Sequence, residues 1–232
     1  MKLVYADVKK LDVSSSLEIY SVVESVKQLK ENEDTTYILP VTESELGFPE
    51  NAEVYVPFNT TRLQDGLCVY FDLESYPFYQ KAIEIIKTAS KGVFRYRRVV
   101  EKEDYESLMI GDVFVLLTLL GEPQDIQVKK TDQTRTPAHT ILSVNFGGGT
   151  LAHIEFTVGT QERIELEWSA TNSIVEFDSD QMRSIQPVGS TMGGLAISYS
   201  VDTILATAHY VDSELINKMN KLNDLLGGGG QS

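Results

Sequence analysis

The side chains in this sequence that could do chemistry are few, and they are scattered along the chain. His139, His153 and His209 have no His or Cys neighbour at metal-ligand spacing, so no metal site is expected. No Gly-x-Ser-x-Gly occurs, and Ser14-Ser15-Ser16 reads as a loop and helix cap rather than a nucleophile. Asp112 sits among Leu108, Met109, Ile110, Val113, Phe114 and Val115, where loss of water suits a proton-transferring acid. The same Gly111-Asp112 pair could instead cap a helix beginning there. Glu165 and Glu167 lie two apart, as a glycosidase pair would, and also as solvated strand residues do. His153 with Glu155 has the same two readings.

The elements that must position these residues follow from periodicity. Short strands are predicted at residues 2 to 6, Tyr37 to Pro40, Glu53 to Pro57 and Leu67 to Phe71. A helix is expected from Ser16 to about Lys30, on Leu17, Tyr20, Val23, Val26 and Leu29 at spacings of three, with Glu31 to Asp34 as a turn after it. Gly47 and Pro49 mark a polar loop. The first 60 residues thus read as β-α-β-β, either a Rossmann remnant or an unrelated addition. Pro77 opens a second helix through Ala82, Ile83 and Ile86, closed by Gly92.

From Val93 a charged strand runs to Glu101, and an apolar helix from about Tyr105 to Leu120 follows. Strands at Ile126 to Lys130, Thr140 to Phe146, Leu151 to Val158, Arg163 to Ser169 and Ser173 to Asp178 are expected to form an antiparallel meander. Gly147-Gly148-Gly149-Thr150 is a hairpin turn, because the alternating Leu151 to Phe156 after it is a strand and a phosphate cradle needs a helix. A last helix is predicted at Ser213 to Leu226, then a flexible tail, while Pro187 to Tyr210 fits strand or helix.

Alternation sorts the meander onto two faces. Ile164, Leu166 and Trp168 point to a core; Arg163, Glu165 and Glu167 point away. His153 and Glu155 oppose Ala152, Ile154 and Phe156, and Arg95 and Arg97 oppose Phe94 and Tyr96. Aligned across the sheet, the polar sides make one broad face that is either solvated, met by a second subunit, or used for a polar ligand.

Composition excludes several classes. The chain has 232 residues and a formal charge of −14, which disfavours nucleic acid and anionic membranes, since both need concentrated positive potential. Cys68 is the single cysteine, so no internal disulfide forms, and its apolar neighbours predict a buried thiol. No signal-peptide pattern and no long apolar run is present, and a cytoplasmic setting is expected.

Several segments in order resemble the C-terminal domain of the Gfo/Idh/MocA oxidoreductases: Tyr76-Pro77-Phe78-Tyr79-Gln80-Lys81-Ala82-Ile83, Gly92 with the strand after it, Leu119-Leu120-Gly121-Glu122-Pro123, and Asn145-Phe146-Gly147-Gly148-Gly149. The match covers about residues 67 to 185 and implies an α+β fold with a large, mostly antiparallel sheet, helices on one face, and a second subunit commonly on the other. Residues 67 to 226 would then be the dehydrogenase-like domain and 1 to 66 the small segment before it, with a tail from 227.

The resemblance would also imply NAD- or NADP-dependent oxidation of a sugar or polyol, and here the chain departs from the family. No glycine stands between Val8 and Ser16, where a dinucleotide turn belongs. Val54-Tyr55-Val56-Pro57-Phe58 holds no lysine at the place of the family's Glu-Lys-Pro, and the His position on the catalytic helix falls on Gly111 or Asp112. The expectation is a scaffold or interaction protein that has lost dehydrogenase chemistry, needs no cofactor and self-associates through its open sheet. The competing readings are an oxidoreductase completed by a dinucleotide-binding partner or by a degenerate site around Asp112, Arg95 and Arg97, and a sugar-binding module without turnover.

Overall fold

Runs of Val, Ile, Leu and Tyr bounded by polar turns fold here as short strands, and these strands collect into two six-stranded sheets. The computed structural model describes residues 1–12, 20–29, 35–41, 52–60, 63–88, 91–101, 105–131, 137–180 and 197–227. The chain divides into two units, one of Met1–Pro77 with Ile197–Lys218, the other of Phe78–Ala196 with Met219–Ser232.

The first unit holds strands β1 (Lys2–Ala6), β2 (Tyr20–Val22), β3 (Thr36–Pro40), β4 (Glu53–Pro57), β5 (Cys68–Tyr70) and β12 (His209–Tyr210), with helices α1 (Asp72–Ser75) and α4 (Val201–Thr207). Sheet order is β12-β5-β4-β1-β3-β2, parallel throughout except for β12. Leu3, Val4, Ile38, Val56 and Val69 are fully buried, as expected of parallel strands covered on both faces. Because β3 and β2 lie on one side of β1, and β4 and β5 on the other, the winding reverses beside β1.

The helix expected from Ser16 to Lys30 does not form over its described part. Tyr20–Val22 is a strand paired with β3, and Val26–Gln28 is a single 3-10 turn. Apolar residues spaced strictly by three drift about 60° per step around an α-helix, so those five positions never made one stripe. Ser14 to Ser16, the Glu31 to Asp34 turn, and Gly47 with Pro49 lie outside the described residues, as do residues 187–196 and the tail from 228. Of the ambiguous stretch before Tyr210, Val201–Thr207 is helix and His209–Tyr210 strand.

The second unit holds α2 (Pro77–Ile86, all but its first residue), β6 (Gly92–Val100), α3 (Tyr105–Leu120), β7 (Asp125–Lys130), β8 (His139–Gly147), β9 (Thr150–Val158), β10 (Arg163–Ala170) and β11 (Ile174–Asp178). Helix α5 (Ser213–Gly227) spans both units in sequence. Sheet order is β11-β10-β6-β9-β8-β7, and every pairing is antiparallel except that of β6 with β9. The expected meander is therefore corrected: β6 inserts between β9 and β10, with Phe94 opposite both Ala152 and Trp168. Local alternation cannot reveal a pairing so distant in sequence. The fold class is nonetheless the expected α+β with a mostly antiparallel sheet.

Phe94, Tyr96, Ile154, Phe156, Leu166 and Trp168 are buried on the helix side of this sheet. Helix α3 is apolar nearly all round and buries Met109, Val113 and Leu116, and the Tyr79 hydroxyl of α2 reaches the Val115 carbonyl at 3.5 Å. Gly92 does not close α2, which ends at Ile86; it begins β6 beneath the Trp168 ring. The β8-β9 connection is the expected hairpin, with Gly147, Gly148 and Gly149 at φ of +73°, +60° and +96°. Among the described residues no helix is long and apolar enough to cross a membrane.

Candidate functional site

Because β6, β9, β10 and β11 are in register, their outward side chains fall into rows. Glu165 lies opposite Arg97 and Asp178, and Arg97 opposite Glu155. Glu167 lies opposite Arg95 and Glu176, and Arg95 opposite His153. The structure thus brings Arg95, Arg97, His153, Glu155, Glu165 and Glu167 together around one shallow concavity of about 540 Å³. Arg163 stands at its margin.

Ion pairs lace this face. Arg95 bonds Glu167; Arg97 lies 3.6 Å from Glu155 and 3.9 Å from Glu165; Arg163 holds Glu165 and Asp178, each at 2.8 Å. His139, placed on β8, bonds Thr157 at 2.9 Å and lies 3.7 Å from Glu155. Every arginine here has a carboxylate beside it, so the face offers no unshielded positive pole to an anion. It remains open to water, with Arg95 54% and Arg97 47% exposed. At one end of the same face Ile174 is 69% and Leu151 49% exposed.

Asp112 lies elsewhere, on the helix side of the sheet. Residue 112 is in the middle of α3, which corrects the reading of Gly111-Asp112 as a helix start. Its carboxylate accepts two bonds from Arg98 Nη1, both at 2.8 Å, and one from the Tyr96 hydroxyl at 2.6 Å. Arg98 also bonds Glu162 through Nη2. The Arg98 and Asp112 side chains are 0% and 3% exposed, so the carboxylate is engaged and closed to a substrate from solution. Asp112 is separated from Arg95 and Arg97, which point out of the opposite face.

Sequence reasoning passed over Arg98. The signal was present: in β6 the even positions Phe94, Tyr96 and Arg98 share the inner face, and an arginine placed there requires a carboxylate.

In the first unit the position of interest is the turn after β1, where a winding reversal opens a crevice at the carboxyl ends of the strands. Four of its backbone N–H groups are bonded within the chain. The Asp7 N–H donates to the Tyr199 hydroxyl, Lys9 to the Asp7 side chain, Lys10 to the Asp7 carbonyl and Asp12 to the Tyr199 carbonyl. Tyr199 itself is 1% exposed, stacked at 6.0 Å on Tyr76 and edge-on at 5.9 Å to Tyr70. Lys10, the near cation, reaches Asp72 and the Tyr76 hydroxyl at 3.4 Å each. Burial pushes the Tyr70 and Tyr199 phenols upward, with the Asp72 charge adding to both.

Cys68 is half-buried, and burial, aided by the Glu53 charge, raises its thiol pKa. His209 bonds Glu74 at 2.7 Å and sits edge-on to Phe71. No group of metal-ligating side chains occurs among the described residues.

No protein-family model matches the chain, and no curated protein matches it. Solved structures similar to it include dehydrogenases. Myo-inositol 2-dehydrogenase from Lactobacillus plantarum is 11% identical with a TM-score of 0.48, over 95% of this chain and 88% of that one. UDP-N-acetylglucosamine 3-dehydrogenase from Acidithiobacillus ferrooxidans is 13% identical with a TM-score of 0.48, over 77% and 70%. A dehydrogenase from Chromobacterium violaceum is 10% identical with a TM-score of 0.46 over 56% of this chain, which spans 47% of its length. Identities of this size describe folding alone, and no substrate or cofactor is carried over from them.

Proposed function

We propose that this chain is a dehydrogenase-shaped protein that has lost dehydrogenase chemistry and acts as a self-associating scaffold through the open face of its second sheet. The observation that carries this reading is the face itself. It spreads across the sheet strands, pairs its own charges, and leaves Ile174 and Leu151 exposed beside them. Large apolar side chains on a flat, regular face gain by being covered, and a second copy is the partner always at hand.

Two arrangements support the loss of chemistry. A dinucleotide needs free N–H groups at the turn after the first strand, and here those of Asp7, Lys9, Lys10 and Asp12 are bonded within the chain, two of them to Tyr199. Asp112, the acid on the helix that aligns with the family's catalytic helix, is held by Arg98 away from solvent.

The test is light scattering of the purified protein with and without NAD(H) and NADP(H), with calorimetry on the same samples. The expected result is a dimer or larger assembly indifferent to either nucleotide. A monomer at every concentration would overturn self-association, and micromolar dinucleotide binding would overturn the loss of cofactor.

A second reading, a module binding a small sugar or other polar ligand, is favoured by the 540 Å³ concavity, a size within the range of ligand pockets. Saturable binding without turnover, abolished by Arg97→Ala, would support it.

A further inference from the structure

We infer that strand β7 is an association edge, along which two copies join as antiparallel strands about a two-fold axis through Gln127, each Asp125 opposite the partner's Lys129. The contact lies at the rim of the second sheet, on a different surface from the open face, and does not depend on that face being covered. Strand β7 ends the sheet: among the described residues it pairs with β8 on one side and with no strand on the other. The Thr131 N–H donates to the His139 carbonyl at 3.0 Å, so in this register the odd residues of β7 turn their backbone groups toward β8. The N–H and C=O groups of Ile126, Val128 and Lys130 therefore point away from the sheet. Such an edge is a template for another strand.

When a strand pairs with its own copy about an axis normal to the sheet, odd residues meet odd and even meet even, so few registers exist. Centring the axis on Gln127 sets Ile126 against the partner's Val128, both half-buried on the helix side, with their outward backbone groups exchanging both bonds. Asp125 and Lys129, exposed on the other side of the sheet, then oppose each other at non-bonded positions, where Cα atoms approach to about 4.5 Å. Within one chain these two stand about 13 Å apart along the strand, too far to pair. Asp125 there accepts only a 3.3 Å bond from the Gln127 side chain. Moving the axis by one residue sets Asp125 against Thr131 in one direction and Lys129 against Pro123 in the other. A lysine on a sheet edge repels a strange strand, and only the central register answers it with an acid. The opposite edge, β11, carries Glu176 and Asp178 and no cation, so no register of that strand upon itself pairs opposite charges.

Cross-linking tests this. Gln127→Cys is oxidised in a glutathione buffer, covalent dimer is followed on non-reducing gels, and the parent chain, with only the half-buried Cys68, gives the background. Folding is checked by circular dichroism. Residue 127 lies opposite itself across the axis at a spacing that a disulfide spans, so Gln127→Cys should link readily. Asp125→Cys, whose copies lie about 13 Å apart along the strands, should link about tenfold more slowly. Adding Asp125→Lys or Lys129→Asp to Gln127→Cys sets like charges opposite one another and should slow linking about tenfold, while adding both should restore it. Linking at residue 127 no faster than at residue 125 would overturn the edge contact, and a dimer by light scattering in that case leaves the open-face reading standing. Charge reversals that move the rate in opposite directions, as net charge alone would on this acidic chain, would overturn the register. A protein that is monomeric by light scattering yet links at residue 127 with the expected charge pattern would support the edge and overturn the open face.

Discussion

The Arg98 guanidinium grips both carboxylate oxygens of Asp112 at 2.8 Å in a place where neither side chain meets water. The pair links β6 to α3, with the Tyr96 hydroxyl completing the carboxylate's bonds. In so enclosed a pair Asp112 depends on Arg98 for its counter-charge, while Arg98 has Glu162 as a second carboxylate.

Removing one member is therefore expected to cost far more than removing both. Asp112→Asn should lower unfolding free energy in urea by about 3 kcal/mol, because the buried Arg98 then keeps only the half-buried Glu162 as a carboxylate partner. Arg98→Met combined with Asp112→Leu should cost distinctly less than Asp112→Asn alone. An Asp112→Asn protein with parental stability would show that this carboxylate is not structural.

The tyrosines beside β1 predict an alkaline limit. Tyr70 and Tyr199 are buried, and their phenols ionise above the ordinary value of 10.0, chiefly for want of water around the anion. The folded state keeps the phenolic proton while the unfolded chain gives it up. Their contribution to stability is then complete below pH 10 and declines as pH rises beyond it, by about 1.4 kcal/mol per pH unit for each group. Urea midpoints measured from pH 8 to 11 should fall above pH 10, and fall less steeply in Tyr199→Phe. A flat profile would mean that these rings titrate without unfolding.

Gly92 gives a third prediction. A Cβ there would stand 2.6 Å from the Trp168 ring and 2.7 Å from the Ser169 carbonyl oxygen, and the second of these is backbone that cannot swing aside. Gly92→Ala should therefore lower stability by about 1–3 kcal/mol through forced displacement of β10. Gly148→Ala, at φ +60° with no neighbour near its Cβ, should cost about 1 kcal/mol from backbone strain alone. Equal losses in the two variants would count against the steric account of Gly92.

Much of the second unit was legible because its strands alternate cleanly. The open-face residues from Arg95 to Glu167 fall where period-two reasoning puts them, and α3 begins and ends at the expected residues. What local pattern could not supply was partnership. The insertion of β6 between β9 and β10 depends on contacts more than fifty residues away, and the role of Asp112 depends on Arg98, read only as part of a charged strand. In the first unit the fully buried strands were visible as apolar runs, but β2 was mistaken for helix. It is short and at the sheet edge, and it is a strand through its pairing with β3 rather than through a pattern of its own residues.

The bond from Asp7 to the Tyr199 hydroxyl joins residues 192 positions apart. The first sheet likewise takes its edge strand from His209–Tyr210, after the whole second sheet has intervened in the chain. On a ribosome the second sheet has all its strands once Asp178 is made, whereas the first, though β1, β3, β4 and β5 are made earlier, waits for β12 to complete it at β5. Such distant closure is slow. Chaperone demand, and vulnerability to proteolysis during synthesis, will therefore concentrate in the opening 77 residues rather than in the sheet that bears the charges.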